Sequence, residues 1–137
     1  MPMFSDESRT KLSTCHMDLQ VIFYEVIRCL DCTIIEGHRN ELDQDFDFKQ
    51  GITDFKWPNG KHNILPSNAV DVTINPIDWD NKHQLFWFAG YVLGIAEQLK
   101  QQGKITHSLR WVSDWDINCD IRDEKSLSDL VHFELVI

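Results

Sequence analysis

Two segments of this chain alternate apolar and polar side chains with a period of two, and no other feature constrains the fold as strongly. In Ala69-Val70-Asp71-Val72-Thr73-Ile74, the residues Val70, Val72 and Ile74 share one face and Ala69, Asp71 and Thr73 the other. In Val131-His132-Phe133-Glu134-Leu135-Val136, the apolar face is Val131, Phe133 and Leu135, with His132 and Glu134 opposite. A period of two belongs to β-strands, so each segment predicts a strand with one core face and one polar face. Asp71 and His132 therefore obey the same rule, each projecting from the non-core side of a strand.

Other stretches have helical spacing. Leu19, Ile22, Phe23, Val26, Ile27 and Leu30 recur at three- and four-residue steps, which predicts a helix over Cys15–Leu30 capped by Ser13 or Thr14. Only the first few residues before it are expected to lack order. Cys32–Ile35 is short and β-branched before Gly37, a strand pattern that leaves Arg39 just past a strand end. Asn40–Gln50 predicts a short helix closed by Gly51, and His83–Gln102 a long one ended by Gly103. The long helix is apolar nearly all round its centre and is expected to be buried against the sheet. Leu109–Val112 is a further strand candidate, and Ser113–Ser128 an acidic loop. Between Gly51 and Pro66 the pattern dissolves into turn-forming residues, a long loop of the kind that often carries function. The expected architecture is α+β: a small, mainly antiparallel sheet with helices on one face and the polar site on the other.

At 137 residues, with 42% hydrophobic residues including eight Phe and five Trp, the chain is expected to form one domain over residues 1–137 with a packed core. The net charge of −9 repels phosphate backbones and argues against nucleic acid as a partner. The segment Leu85–Leu99 is too short for a membrane span and is broken by Gly90, Gly94 and Glu97. No basic stretch followed by an apolar run opens the chain, so synthesis in the cytoplasm and reduced cysteines are expected. Cys29 and Cys32 form a C-x-x-C without the second pair a zinc knuckle needs, and are read with Cys15 as small buried residues. Asp114, Asp116, Asn118 and Asp120 alternate like the start of a calcium loop, but Cys119 and Lys125 stand where Gly and Glu are required, so a solvated acidic loop is expected.

A catalytic zinc takes three protein ligands, usually His and carboxylate, and keeps a place for water. His62 from the loop, Asp71 from one strand and His132 from another satisfy that requirement, and Asp129 lies three positions before His132, where a general base would reach the water. By spacing alone the same residues fit two partly exposed imidazoles and a surface carboxylate equally well.

The surrounding strings resemble a family. Glu36-Gly37-His38-Arg39, Trp57-Pro58-Asn59-Gly60-Lys61-His62-Asn63, Pro66-Ser67-Asn68-Ala69-Val70-Asp71, Pro76-Ile77-Asp78-Trp79, Arg110-Trp111, Asp114-Trp115-Asp116 and Asp129–Leu135 occur in the order seen in phage and prophage endolysins of the M15 metallopeptidases, with Thr14-Cys15-His16 and Asp18-Leu19-Gln20 in the first helix. The resemblance implies a fold of the D-alanyl-D-alanine peptidase and hedgehog type. It implies that His62, Asp71 and His132 bind Zn2+, that Asp129 is the catalytic acid/base, and that Arg39 polarises the scissile carbonyl. The implied activity is zinc-dependent hydrolysis of the peptidoglycan stem peptide, first at L-Ala–D-Glu, with D-Ala–D-Ala carboxypeptidase or dipeptidase action and an inactive wall-binding module as alternatives. A monomer acting on the cell wall after release from the cytoplasm is expected. His38 is a candidate fourth polar group of the pocket, and Asp114 and Trp115 candidate cleft borders. Gly60 replaces the family's usual Ser, which is expected to loosen the loop before His62, and Val112-Ser113 replaces its usual Gly-Gly.

Overall fold

The computed structural model describes residues 1–111 and 127–137. Residues 112–126, including the acidic alternation and Trp115, lie outside that description. Among the described residues, five helices and four strands follow in the order α1 (Asp6–Leu12), α2 (Met17–Ile27), β1 (Cys32–Glu36), α3 (Glu41–Lys49), β2 (Ala69–Ile74), α4 (Lys82–Gln101), β3 (Ser108–Trp111), α5 (Leu127–Leu130) and β4 (His132–Val136). The strands form one sheet of order β1-β2-β4-β3 in which every neighbouring pair is antiparallel. The architecture is α+β, as the two-faced strands require.

The core lies on the face of Val70, Val72, Phe133 and Leu135, all at most 1% exposed. Phe133 sits at its centre, edge-on to Phe23 of α2 and to Phe88 of α4 at ring separations of 5.6 and 6.3 Å. Helix α1 packs on β1, and α4 packs on β2 and β3 and against α2. Burying side chains of this size contributes about 1.5–3 kcal/mol each, so the register around Phe133 is held by the core and not by the polar face.

Three expectations need correction. The helix expected over Cys15–Leu30 is α2 and begins at Met17, with His16 and not Ser13 or Thr14 as its cap: the His16 Nδ1 accepts from Asp18 N at 2.9 Å. Ser13 and Thr14 instead close α1, a helix whose polar sequence hides its signals, a Ser5 cap and acidic Asp6 and Glu7 in the first turn. Helix α4 is not buried all round: its core stripe is Leu85, Phe88, Ala89, Val92, Ala96 and Leu99, while Trp87 is 57% exposed and stacks on Tyr91. Cys29 is exposed, whereas Cys15 and Cys32 are buried and their thiols are pushed up to about 12 by desolvation. The ends of α3 and α4 follow the sequence, with Gly51 and Gly103 both at φ 74°. No helix among the described residues is long and apolar enough to cross a membrane.

Candidate active site

The register of the sheet assembles the site. Asp71 of β2 pairs with His132 of β4 on one side and, across a bulge, with Glu36 of β1 on the other, so three polar side chains form a row on the face away from the core. His62 joins them from the long loop, whose end is tied to β1's exit by a backbone bond from Arg39 N to the His62 carbonyl at 2.8 Å.

The three groups meet closely. His62 Nε2 lies 3.2 Å from His132 Nδ1 and 3.3 Å from Asp71 Oδ1, and His132 Nδ1 lies 3.0 Å from the same oxygen. Ligands bound to zinc at about 2.0–2.1 Å in tetrahedral array stand about 3.3 Å apart, so the donor set and its spacing fit such an ion. The orientation of His62 is set from behind: its Nδ1 donates to the Gly37 carbonyl at 2.7 Å, which in the neutral ring leaves Nε2 as the lone-pair nitrogen. His62 and Asp71 are 3% and 8% exposed. Burial opposes the charge on Asp71, but His62 and the hydrogen bonds from both imidazoles outweigh it and hold the carboxyl well below the usual range. Burial likewise pulls His62 down, and the Asp71 carboxylate more than offsets this and raises it.

Arg39 and Asp129 border the same cleft, a cavity of ≈ 370 Å³ whose wall also includes Asp71, His132, Glu134 and the rim residues Ile52 and Phe55. Arg39 is 9% exposed and its guanidinium is gripped: Nε and Nη2 donate to the two oxygens of Glu36 at 2.9 and 2.6 Å, and Nη1 donates to Gln44 Oε1 at 3.1 Å. Those bonds use three of its five N–H donors. Asp129 is half-buried on α5, a turn anchored by the Trp111 indole, which donates to the Leu130 carbonyl at 2.9 Å. His38 faces elsewhere, with its Nε2 at 3.2 Å from the Asn63 carbonyl and its own N–H bonded to Thr14 Oγ1.

Gln44 had no signal in the sequence beyond a polar helix position, yet it is fully buried and links three parts of the site. Its Oε1 accepts from Arg39 and, at 2.9 Å, from Asn63 Nδ2, while its Nε2 donates to the Phe55 carbonyl on the rim. The expectation that Gly60 loosens the loop is overturned by the same network: Gly60 N donates to Asn63 Oδ1 at 2.8 Å, and a Cβ at Gly60 would stand 2.7 Å from that oxygen and 3.1 Å from Gln44 Oε1. A side chain at Gly60 would have to displace the Asn63 amide. Gln44→Leu, which strands buried donors of Arg39 and Asn63, is expected to lower unfolding free energy by at least about 1–3 kcal/mol in a denaturant titration.

Gly37 has a similar constraint. A Cβ there would collide with the backbone carbonyl of Lys11 and the Thr14 hydroxyl. Gly37→Ala should destabilise the fold by about 1–3 kcal/mol and, by displacing the carbonyl behind His62, weaken the hold of these three residues on any cation about tenfold or more. Calorimetric titration with zinc checks the second effect, and unchanged affinity would show that the carbonyl does not orient the imidazole.

A second His–Asp–His group, His16, Asp18 and His107, joins the start of α2 to a turn whose sequence carries no metal-site or strand-face signal. Asp18 Oδ2 accepts from Thr106 N, Thr106 Oγ1, His107 N and His107 Nδ1, all within 3.2 Å, so this carboxylate pins the turn before β3. Neither group includes Cys29 or Cys32.

No curated protein sequence matches the chain. Among solved structures it is similar to the Serratia marcescens L-Ala D-Glu endopeptidase ChiX, with 21% identity, a TM-score of 0.64, and coverage of 98% of this chain and 90% of that one. At that identity the likeness establishes the fold. The family model for phage L-alanyl-D-glutamate peptidases matches residues 2–136. A match of that extent, over the strands, loop and turn that build the cleft, shows that the chain belongs to the phage L-alanyl-D-glutamate peptidase family.

Proposed function

We propose that this peptidase, which acts on peptidoglycan, is a zinc enzyme in which His62, Asp71 and His132 hold the metal, Asp129 is the general acid/base and Arg39 stabilises the oxyanion. One observation carries the reading: two imidazole nitrogens and a carboxylate oxygen, from a loop and two strands, lie within 3.3 Å of one another at the wall of a cleft. A zinc ion bound there supplies Lewis acidity and brings the pKa of its water toward neutrality.

The chain's own residues account for the remaining steps. Asp129 takes the proton of the attacking water and returns it to the leaving amine, which suits a carboxylate at the cleft edge. Arg39, held by Glu36 and Gln44, directs its remaining N–H donors at the carbonyl oxygen as negative charge develops there. Its rigidity supports that role, because a donor already aimed needs no reorganisation during the reaction. The domain acts as a monomer in this proposal, its partner being the stem peptide.

The test is mass spectrometry of purified sacculi after digestion, with and without chelator. Cleavage between L-Ala and D-Glu that chelator abolishes and added zinc restores is the expected result. Release of D-Ala would mark a carboxypeptidase, and activity indifferent to chelation would remove the zinc proposal.

A further inference from the structure

One acidic group in the cleft wall is not used by the chemistry above. Glu134 lies two residues beyond His132 on β4, hence on the same face, and the register sets it between Ala69 of β2 and Arg110 of β3. It is 1% exposed. Its Oε1 accepts from Arg110 Nη2 at 3.2 Å, whereas its Oε2 is buried and has no hydrogen-bond partner among the described residues. The same side chain lines the cleft beside His62, His132 and Asp129.

A buried carboxylate oxygen without a donor destabilises the folded protein, and such an atom calls for a partner beyond the described residues. Arg110 pairs with the other oxygen, which lowers what a bare cation would gain there. The ligand that the proposed function gives this cleft is a peptide, and the groups assigned above engage its carbonyl oxygen and leaving amine. What a bound peptide still has to place are backbone N–H donors. We propose that Glu134 is a substrate-positioning residue: its Oε2 accepts a backbone N–H of the stem peptide close to the scissile bond, while Arg110 holds the other oxygen and keeps the carboxylate oriented. The inference rests on the cleft being the peptidase site.

The experiment is a cycle between enzyme and substrate. Defined stem peptides N-methylated in turn at each amide other than the scissile one are cut by zinc-loaded wild type and by Glu134→Gln, whose amide keeps one oxygen for Arg110 and presents an NH2 in place of Oε2. At one position, methylation is expected to lower kcat/KM of wild type roughly ten- to hundredfold, and that of the variant by less than about threefold, because its bond is already gone. A Glu134 that only supports the fold, or that binds an enclosed water, would slow the variant on every peptide alike and leave the methylation penalty intact, which overturns the proposal. Should Glu134→Gln not fold, the double variant R110M/E134M replaces the buried pair by apolar side chains of similar size. Retention of the wild-type penalty in that variant overturns it equally. Wild type failing to cut the unmethylated peptide would overturn the peptidase reading first, and this inference with it.

Discussion

Asp129→Ala is expected to slow cleavage of the L-Ala–D-Glu bond by roughly 10²–10⁴-fold, the range a positioned general acid/base supplies, while leaving bound zinc unchanged. The two parts belong together. Asp129 sits on α5 and is not one of the three residues whose donor atoms lie within 3.3 Å of one another, so its removal is expected to leave those donors in place. Asp129→Asn keeps the shape and removes the proton acceptor, and should lose nearly as much. Turnover of a defined muropeptide together with the zinc content of each variant decides the matter. Full activity in Asp129→Ala would refute the assigned role, and loss of zinc with activity would make Asp129 part of the metal site.

Metal removal should reverse how stability depends on pH. Without a cation, the Asp71 carboxyl is depressed and His62 is raised, each by the other's charge acting against burial. A depressed carboxyl stabilises the fold above its unfolded pKa of about 3.9 and loses that contribution as pH falls through the folded value. A raised imidazole stabilises below its unfolded pKa of about 6.5 and loses the contribution as pH rises through the folded value. The chelated protein is therefore expected to be most stable between about pH 4 and 6.5 and to weaken toward pH 8. With zinc the proton has to leave, so binding strengthens over the same rise. At free zinc about a thousandfold above Kd the loaded protein should gain about 4 kcal/mol, on the order of 10 °C in Tm for a chain of this size. Melting curves of chelated and zinc-loaded protein at pH 5.5 and 8 test this. A gap between the two forms that narrows toward pH 8 would contradict a site made of these imidazoles.

Much of the framework could be read from local pattern. The strand Ala69–Ile74 has the predicted bounds, the ends of α3 and α4 fall where Gly51 and Gly103 mark them, and the faces of β4 divide as the alternation requires. Helix α1 was missed because so few of its residues are buried, essentially Ser8 and Leu12, which leaves no periodic apolar stripe to detect. The family resemblance in the motifs around His62, Asp71 and His132 pointed to residues that the structure does bring together, and to Arg39 and Asp129, which it places at the same cleft.

What the sequence determined by itself is the set of two-faced strands and capped helices, since a backbone period of two or 3.6, a cap and a left-handed glycine depend on near neighbours alone. The tertiary structure decided which positions face each other. It set Asp71 opposite His132, folded the loop so that His62 turns its Nε2 to both, hid Gln44 as the link between Arg39 and that loop, and buried Glu134, which alternation alone would leave on a polar face. Strand register and loop closure are settled by contacts between residues tens of positions apart, above all the packing around Phe133, and no local pattern carries that information.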